Sequence, residues 1–119
     1  MKIPGPDHPI TIAPAQGRVV VRFQGEVVAD TIAALELKEA SYPAVFYIPR
    51  GDAKLDPFFS KTTHGTHCPY KGDASYFSLE AAGKRAENAV WSYETPYPSV
   101  SQIAGHLAFY PDKVTIERH

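Results

Sequence analysis

The run His64-Gly65-Thr66-His67-Cys68-Pro69-Tyr70-Lys71-Gly72 carries the densest set of reactive side chains in this sequence. Cys68 is the sole thiol, His67 precedes it, and Lys71 follows three residues on. Cations beside a thiol favour the thiolate, which is the nucleophile, and a histidine supplies a base. Cys68 and His67 are therefore the candidate catalytic residues for nucleophilic or redox chemistry. The competing reading makes Cys68 a small buried hydrophobe, as most free cysteines are. Pro69 favours an extended Cys68, which sends the His67 and Cys68 side chains to opposite sides. A base for the thiol is then expected from elsewhere in the fold, from His64 or His106.

Binding chemistry needs fewer assumptions. Lys71 is a candidate to hold an anionic group, the alternative being an ordinary surface lysine. Trp91, Tyr93 and Tyr97 are candidates to line a pocket, since aromatic faces bind flat apolar or cationic groups; at alternate strand positions they serve equally as core. Arg50 and Asp52 follow Pro49 at a strand end, facing the same cleft or forming a solvated turn. His64-x-x-His67-Cys68 offers three metal-ligand types, but structural zinc usually takes two pairs of ligands and one cysteine cannot complete them. No metal is expected. Lys71-Gly72 lacks the glycine-rich run before the lysine and the hydroxyl after it that a phosphate loop needs, and no cofactor is expected.

Composition bounds the rest. A chain of 119 residues, 44% hydrophobic, is sized for one domain with a core of its own. Twelve Lys and Arg against thirteen Asp and Glu leave a net charge of −1. There is no basic stripe, so nucleic acid is not an expected partner. The longest apolar runs, such as Val19-Val20-Val21, are too short to span a bilayer, so no membrane association is expected. Met1-Lys2-Ile3-Pro4-Gly5-Pro6 lacks the apolar region of a secretory signal, and a lone cysteine forms no internal disulfide. Both features favour the cytoplasm.

Seven Tyr, six Phe, one Trp and eleven Pro argue for a β protein. Residues 1–17, with Pro4, Pro6, Pro9 and Pro14, are expected to form an extended arm anchored by Ile10 and Ile12; residues 18–119 form a single domain. Arg18 to Phe23 alternates cleanly, and Val27-Val28-Ala29 is expected to return beside it after Gly25. Ala33 to Lys38 and Ala44 to Ile48 read as strands. Asp52 is expected to cap one helical turn reaching Phe58 and Phe59, with Pro57 as its stop. Ser75 to Leu79 and Ala89 to Glu94 read as strands joined through Ala81-Ala82-Gly83-Lys84. Ser99 and Gln102 have capping-box spacing for a short helix stopped by Gly105. His106 to Tyr110 and Lys113 to Glu117 are expected to pair as a final hairpin turned at Pro111-Asp112. The pattern predicts a small antiparallel β-barrel or tent-like folded sheet of about seven strands with one or two short helices.

From about Arg18 onward the chain resembles the family known as domain of unknown function 427. The resemblance is carried by Gly25-Glu26-Val27-Val28-Ala29-Asp30, Tyr42-Pro43-Ala44-Val45-Phe46-Tyr47-Ile48-Pro49 and Thr66-His67-Cys68-Pro69-Tyr70-Lys71-Gly72-Asp73-Ala74-Ser75-Tyr76. It continues through Ala86-Glu87-Asn88-Ala89-Val90-Trp91-Ser92-Tyr93 and Gly105-His106-Leu107-Ala108-Phe109-Tyr110. It implies a compact β domain of the tent-like or small-barrel kind and carries over no catalytic residue. The family is sometimes labelled nucleotidyltransferase-like, but two-metal nucleotidyl transfer classically uses an Asp-x-Asp pair on one strand face, and this chain has none. Three functions are thus expected in competition: binding of a small molecule, anionic ones included, near His67, Cys68, Lys71, Trp91 and Tyr93; cysteine-dependent catalysis through Cys68; or a non-catalytic protein-interaction module.

Overall fold

The alternation of Arg18 to Phe23 is realised in strand β2 (Val19–Phe23), where Val19, Val21 and Phe23 enter the core and Arg22 reaches Glu117. A computed structural model describes residues 1–119. Its ten strands form three antiparallel sheets. One joins β1 (Ile10–Pro14), β4 (Leu35–Glu39) and β5 (Val45–Tyr47) in the order β1-β4-β5. A second places β2 between β3 (Glu26–Thr31) and β10 (Thr115–Arg118). The third runs β6 (Phe59–Cys68), β7 (Gly72–Ala81), β8 (Lys84–Ser92), β9 (Ala108–Phe109). Between β5 and β6 lie a 3-10 turn, Arg50–Asp52, and a single helical turn, α1 (Leu55–Phe58). A second 3-10 segment, Pro98–Ile103, follows β8.

Mainly-β, antiparallel architecture is as expected, but the sheets do not close into a barrel and the strands exceed seven. The three sheets stay separate, and between β5 and β9 only the single bridge of Ile48 and Leu107 forms. The unexpected strands are β1 and β6. Pro9 lies just outside β1 and Pro14 is its last residue, so the prolines bound a strand whose Ile12 sits opposite Leu37. β6 is an edge strand, mostly exposed and interrupted by a bulge between Lys61 and Gly65, so its sequence shows no apolar alternation.

Other expectations are corrected. His106–Tyr110 and Lys113–Glu117 do not form a hairpin: β9 pairs with β8, and β10 crosses to β2, where Ile116 sits opposite Val21. β8 begins at Lys84 rather than Ala89. The Ser99 capping box does not form, because Pro98 occupies the first turn and moves the cap to Tyr97, which makes no side-chain cap bond. Asp52 caps no helix either. Its carboxylate instead accepts a hydrogen bond from the Thr31 hydroxyl at 2.7 Å, tying the loop to β3.

β7 turns into β8 through Ala82 and Gly83, at φ +52° and +74°, so Ala81 pairs with Lys84. Two positive φ values match the right-handed twist of a two-residue hairpin. The left-handed conformation costs an L-residue with a Cβ roughly 1–2 kcal/mol, partly offset by the greater freedom glycine loses on folding. Ala82→Gly is therefore expected to stabilise the protein by about 0.5 kcal/mol, read as a rise in the urea midpoint with unchanged slope.

The core has two parts. Val19, Val28, Leu79, Val90 and Leu107 centre the larger one, between the second and third sheets. The smaller, with Leu37, Tyr47, Tyr93, Val100 and Ile103, lies where β4 and β5 face the third sheet. The candidate site stands on this smaller cluster.

Candidate functional site

The reactive run forms the end of the β6–β7 hairpin. Cys68 opposes Gly72 as the last rung, and Pro69, Tyr70 and Lys71 make the turn. Gly72 has φ +109°, where a Cβ would stand 3.7 Å from the backbone of the Thr95–Tyr97 loop, and the Tyr97 amide donates to the Lys71 carbonyl at 3.0 Å. This geometry folds Lys71 inward, and its side chain retains 10% exposure.

The Lys71 ammonium meets the carboxylate of Glu39, at the end of β4, in a close ion pair. It also lies 5.9 Å from the Tyr93 ring centroid. The second carboxylate oxygen of Glu39 meets His8 Nε2 at 2.7 Å. His8 in turn stacks flat on Tyr70, with centroids 3.9 Å apart and planes 7° apart. The Lys2 amide donates to the Pro69 carbonyl at 2.7 Å. The N-terminal segment thus clasps the hairpin turn and the Glu39–Lys71 pair together. Burial alone would raise the Glu39 carboxyl, but the hydrogen bonds from Lys71 and His8 outweigh it and hold the group below its ordinary value.

Beside this pair opens a cavity of about 210 Å³. Glu39 and Lys71 are its only charged walls; five tyrosines (Tyr42, Tyr47, Tyr76, Tyr93 and Tyr110) and Trp91 supply the aromatic ones. The rings are mutually ordered. Trp91 tilts against Tyr110 at 4.6 Å and donates its indole N–H to the Tyr47 hydroxyl at 3.3 Å. Tyr76 and Tyr110 stack with centroids 6.5 Å apart, their hydroxyls 3.3 Å from each other, and the Tyr76 hydroxyl also meets Thr66 Oγ1 at 2.9 Å. Burial pushes the Tyr47 and Tyr93 phenols far up, and burial plus the Tyr76 contact raises Tyr110 to about 12. These hydroxyls stay neutral at any physiological pH and serve as donors and acceptors.

Lys71, Trp91 and Tyr93 therefore meet at one cavity. Cys68 is only partly buried, packs against the smaller core cluster and does not line the cavity. His67 points outward and pairs with Asp73 across the hairpin at 2.7 Å. His64 lies edge-on to Tyr76, and His106 Nδ1 contacts the Ala104 carbonyl at 3.0 Å. No histidine is hydrogen-bonded to the thiol, and His64, His67 and Cys68 do not converge as a metal-ligand set. Arg50 spans the Gly105 carbonyl at 3.1 Å and the Glu94 carboxylate at 2.5 Å, away from the cavity wall. Tyr97 stands edge-on to His67, also off the wall.

Sequence reasoning did not single out Glu39, Tyr47, Tyr76 or Tyr110. Tyr47 alternates with Val45, and Tyr76 with Ala74, a spacing that signals a shared face without naming what that face meets. Glu39 ends a strand beside Ala40, at φ +48°, and carries no local signal at all.

Residues 11–119 match the family model described as a domain of unknown function, DUF427. The chain belongs to that family. No curated protein matches it. In this DUF427 domain Asp52 is bound to Thr31, and no three His, Cys, Asp or Glu side chains stand together as a group that could hold a metal ion. No helix is long and apolar enough to cross a membrane.

Proposed function

We propose that this domain binds a small planar molecule in the cavity beside Lys71, with the rings of Trp91, Tyr47 and Tyr110 against its faces. The observation that carries this reading is the ion pair of Glu39 and Lys71 in the wall of an otherwise aromatic cavity. Ligand sites characteristically combine apolar walls with a few placed polar groups. Glu39 occupies one of the three Lys71 ammonium protons, so donors remain for an acceptor atom on a ligand. Because Glu39 already balances the Lys71 charge, a neutral acceptor suits the site better than an anion, which would set a second negative charge beside the carboxylate. Apolar cavities of about 150 Å³ hold benzene. The volume here suits one substituted ring.

Cysteine catalysis gains less support, since the thiol lies outside the cavity wall and the Lys71 ammonium is directed to Glu39. An interaction module would be favoured by an aromatic face without a concavity, whereas these aromatics surround one.

Trp91, the only tryptophan, reports on the cavity directly. Titration with phenol is expected to change Trp91 emission saturably, to do so equally in Cys68→Ser, and to lose the effect in Val45→Phe, where a larger ring fills the cavity from edge strand β5. Absence of any saturable response, or one that survives Val45→Phe unchanged, would reject the cavity as the site.

A further inference from the structure

We infer that the ligand of this cavity is a ring-headed amphiphile whose apolar chain runs in the groove between β5 and β9. This rests on the binding reading above and adds the ligand class to it.

The groove originates in the sheet seam. Ile48 and Leu107 exchange two backbone hydrogen bonds of 2.8 Å. In that antiparallel register the next rung would join Phe46 to Phe109, but the ladder ends: β5 pairs only with β4, and β9 only with β8. The strands part, leaving a groove of about 480 Å³ with Phe46 and Ala44 on one side and Phe109 and Pro111 on the other. Ile116 of β10 also lines it, and no charged side chain does.

Adjacency to the cavity points to what fills it. Tyr42, Pro43, Val45 and Trp91 line both spaces, so the two adjoin across one shared wall. The charged pair and most of the tyrosyl hydroxyls belong to the inner cavity, while the groove is apolar. That division matches a molecule with a hydrogen-bonding ring at one end and a hydrocarbon chain at the other. A chain attached to a bound ring reaches the groove without paying a second association cost.

The test is a 4-n-alkylphenol series from ethyl to octyl, compared with phenol itself, on the intact protein and on Ala44→Trp, with affinities from ligand-observed NMR or calorimetry. Ala44 is exposed and lines only the groove, so the substitution blocks the chain path and leaves the inner cavity intact. Burying each methylene is expected to raise affinity by about four-fold in the intact protein. In Ala44→Trp the gain is lost while phenol affinity stays the same. Phenol binding without any chain-length gain would overturn the amphiphile and leave the binding reading standing. An equal gain in both proteins would show non-specific partitioning and also overturn it. Failure of phenol and every alkylphenol to bind would remove both readings. If chain length has no effect but Ala44→Trp abolishes self-association or binding of an extended apolar peptide, the groove is a protein interface and the amphiphile falls.

Discussion

Glu39→Gln is expected to lower the unfolding free energy by about 3 kcal/mol near neutral pH, since removing one partner strands the other as an uncompensated, nearly buried charge. The stranded group is Lys71, with 10% of its side chain exposed, and His8 loses the same carboxylate. The pH dependence gives the effect its signature. The Glu39 carboxyl is held below its ordinary value of 4.5, because the bonds from Lys71 and His8 outweigh the opposing effect of burial. A carboxyl whose folded value lies below its unfolded one adds stability that is complete above the unfolded value and is lost as pH falls through the folded one. The parent and Glu39→Gln should therefore differ most near neutrality and converge as pH drops below 4.5. Urea midpoints across that range decide it. An offset that persists unchanged into acid would mean Glu39 acts through packing rather than charge.

Trp91→Ala is expected to weaken 4-alkylphenol binding by about thirty-fold, equivalent to about 2 kcal/mol, the cost typical of removing a central aromatic anchor. Trp91, like Tyr42, lines both the inner cavity and the groove, so its loss removes contacts to head and chain together. It also frees the Tyr47 hydroxyl from its indole donor and leaves Tyr110 without its tilted partner. Trp91→Phe should recover most of the affinity, because a ring on the same wall restores the apolar contact without the N–H. Arg50→Ala supplies the contrast. Its partners are Gly105, Ser92 and Glu94, so it should cost stability and leave ligand affinity within about two-fold. Calorimetric titration of the three variants separates these outcomes; an affinity loss in Arg50→Ala matching that in Trp91→Ala would place the binding surface elsewhere.

The wider meaning of the structure lies in how an incomplete sheet closure makes a site. Had β5 continued its ladder along β9, the seam would be sealed and Phe46 would sit against Phe109. Ending the ladder after one bridge keeps the core intact around Leu107, which is fully buried, and opens apolar space beyond it. The Glu39–Lys71 pair then closes the inner end from the hairpin side, held by the N-terminal segment through His8 and Tyr70.

Alternation and turn chemistry alone were sufficient for the β character of the chain. Val19, Val21 and Phe23, or Ala89 and Trp91, declare a strand through side-chain period, and Gly25 and Gly83 mark the turns of hairpins that the structure realises with positive φ. The sequence was equally sufficient for the family, and it pointed to the segment that carries Lys71, because unusual residue types at close spacing are local information. It could not reveal that Lys71 turns inward while His67 turns out, since that depends on Glu39, 32 residues away. Nor could it show that Cys68 packs, partly buried, against the smaller core cluster, or send β10 to β2 instead of β9. Edge strand β6 was invisible for the same cause: exposed on most of its length, it buries too little for its sequence to alternate. Local propensity and periodicity act within a few residues, whereas a cavity wall is assembled by long-range pairing. Only the tertiary structure could bring Glu39, Tyr47, Lys71, Trp91 and Tyr110 around one space.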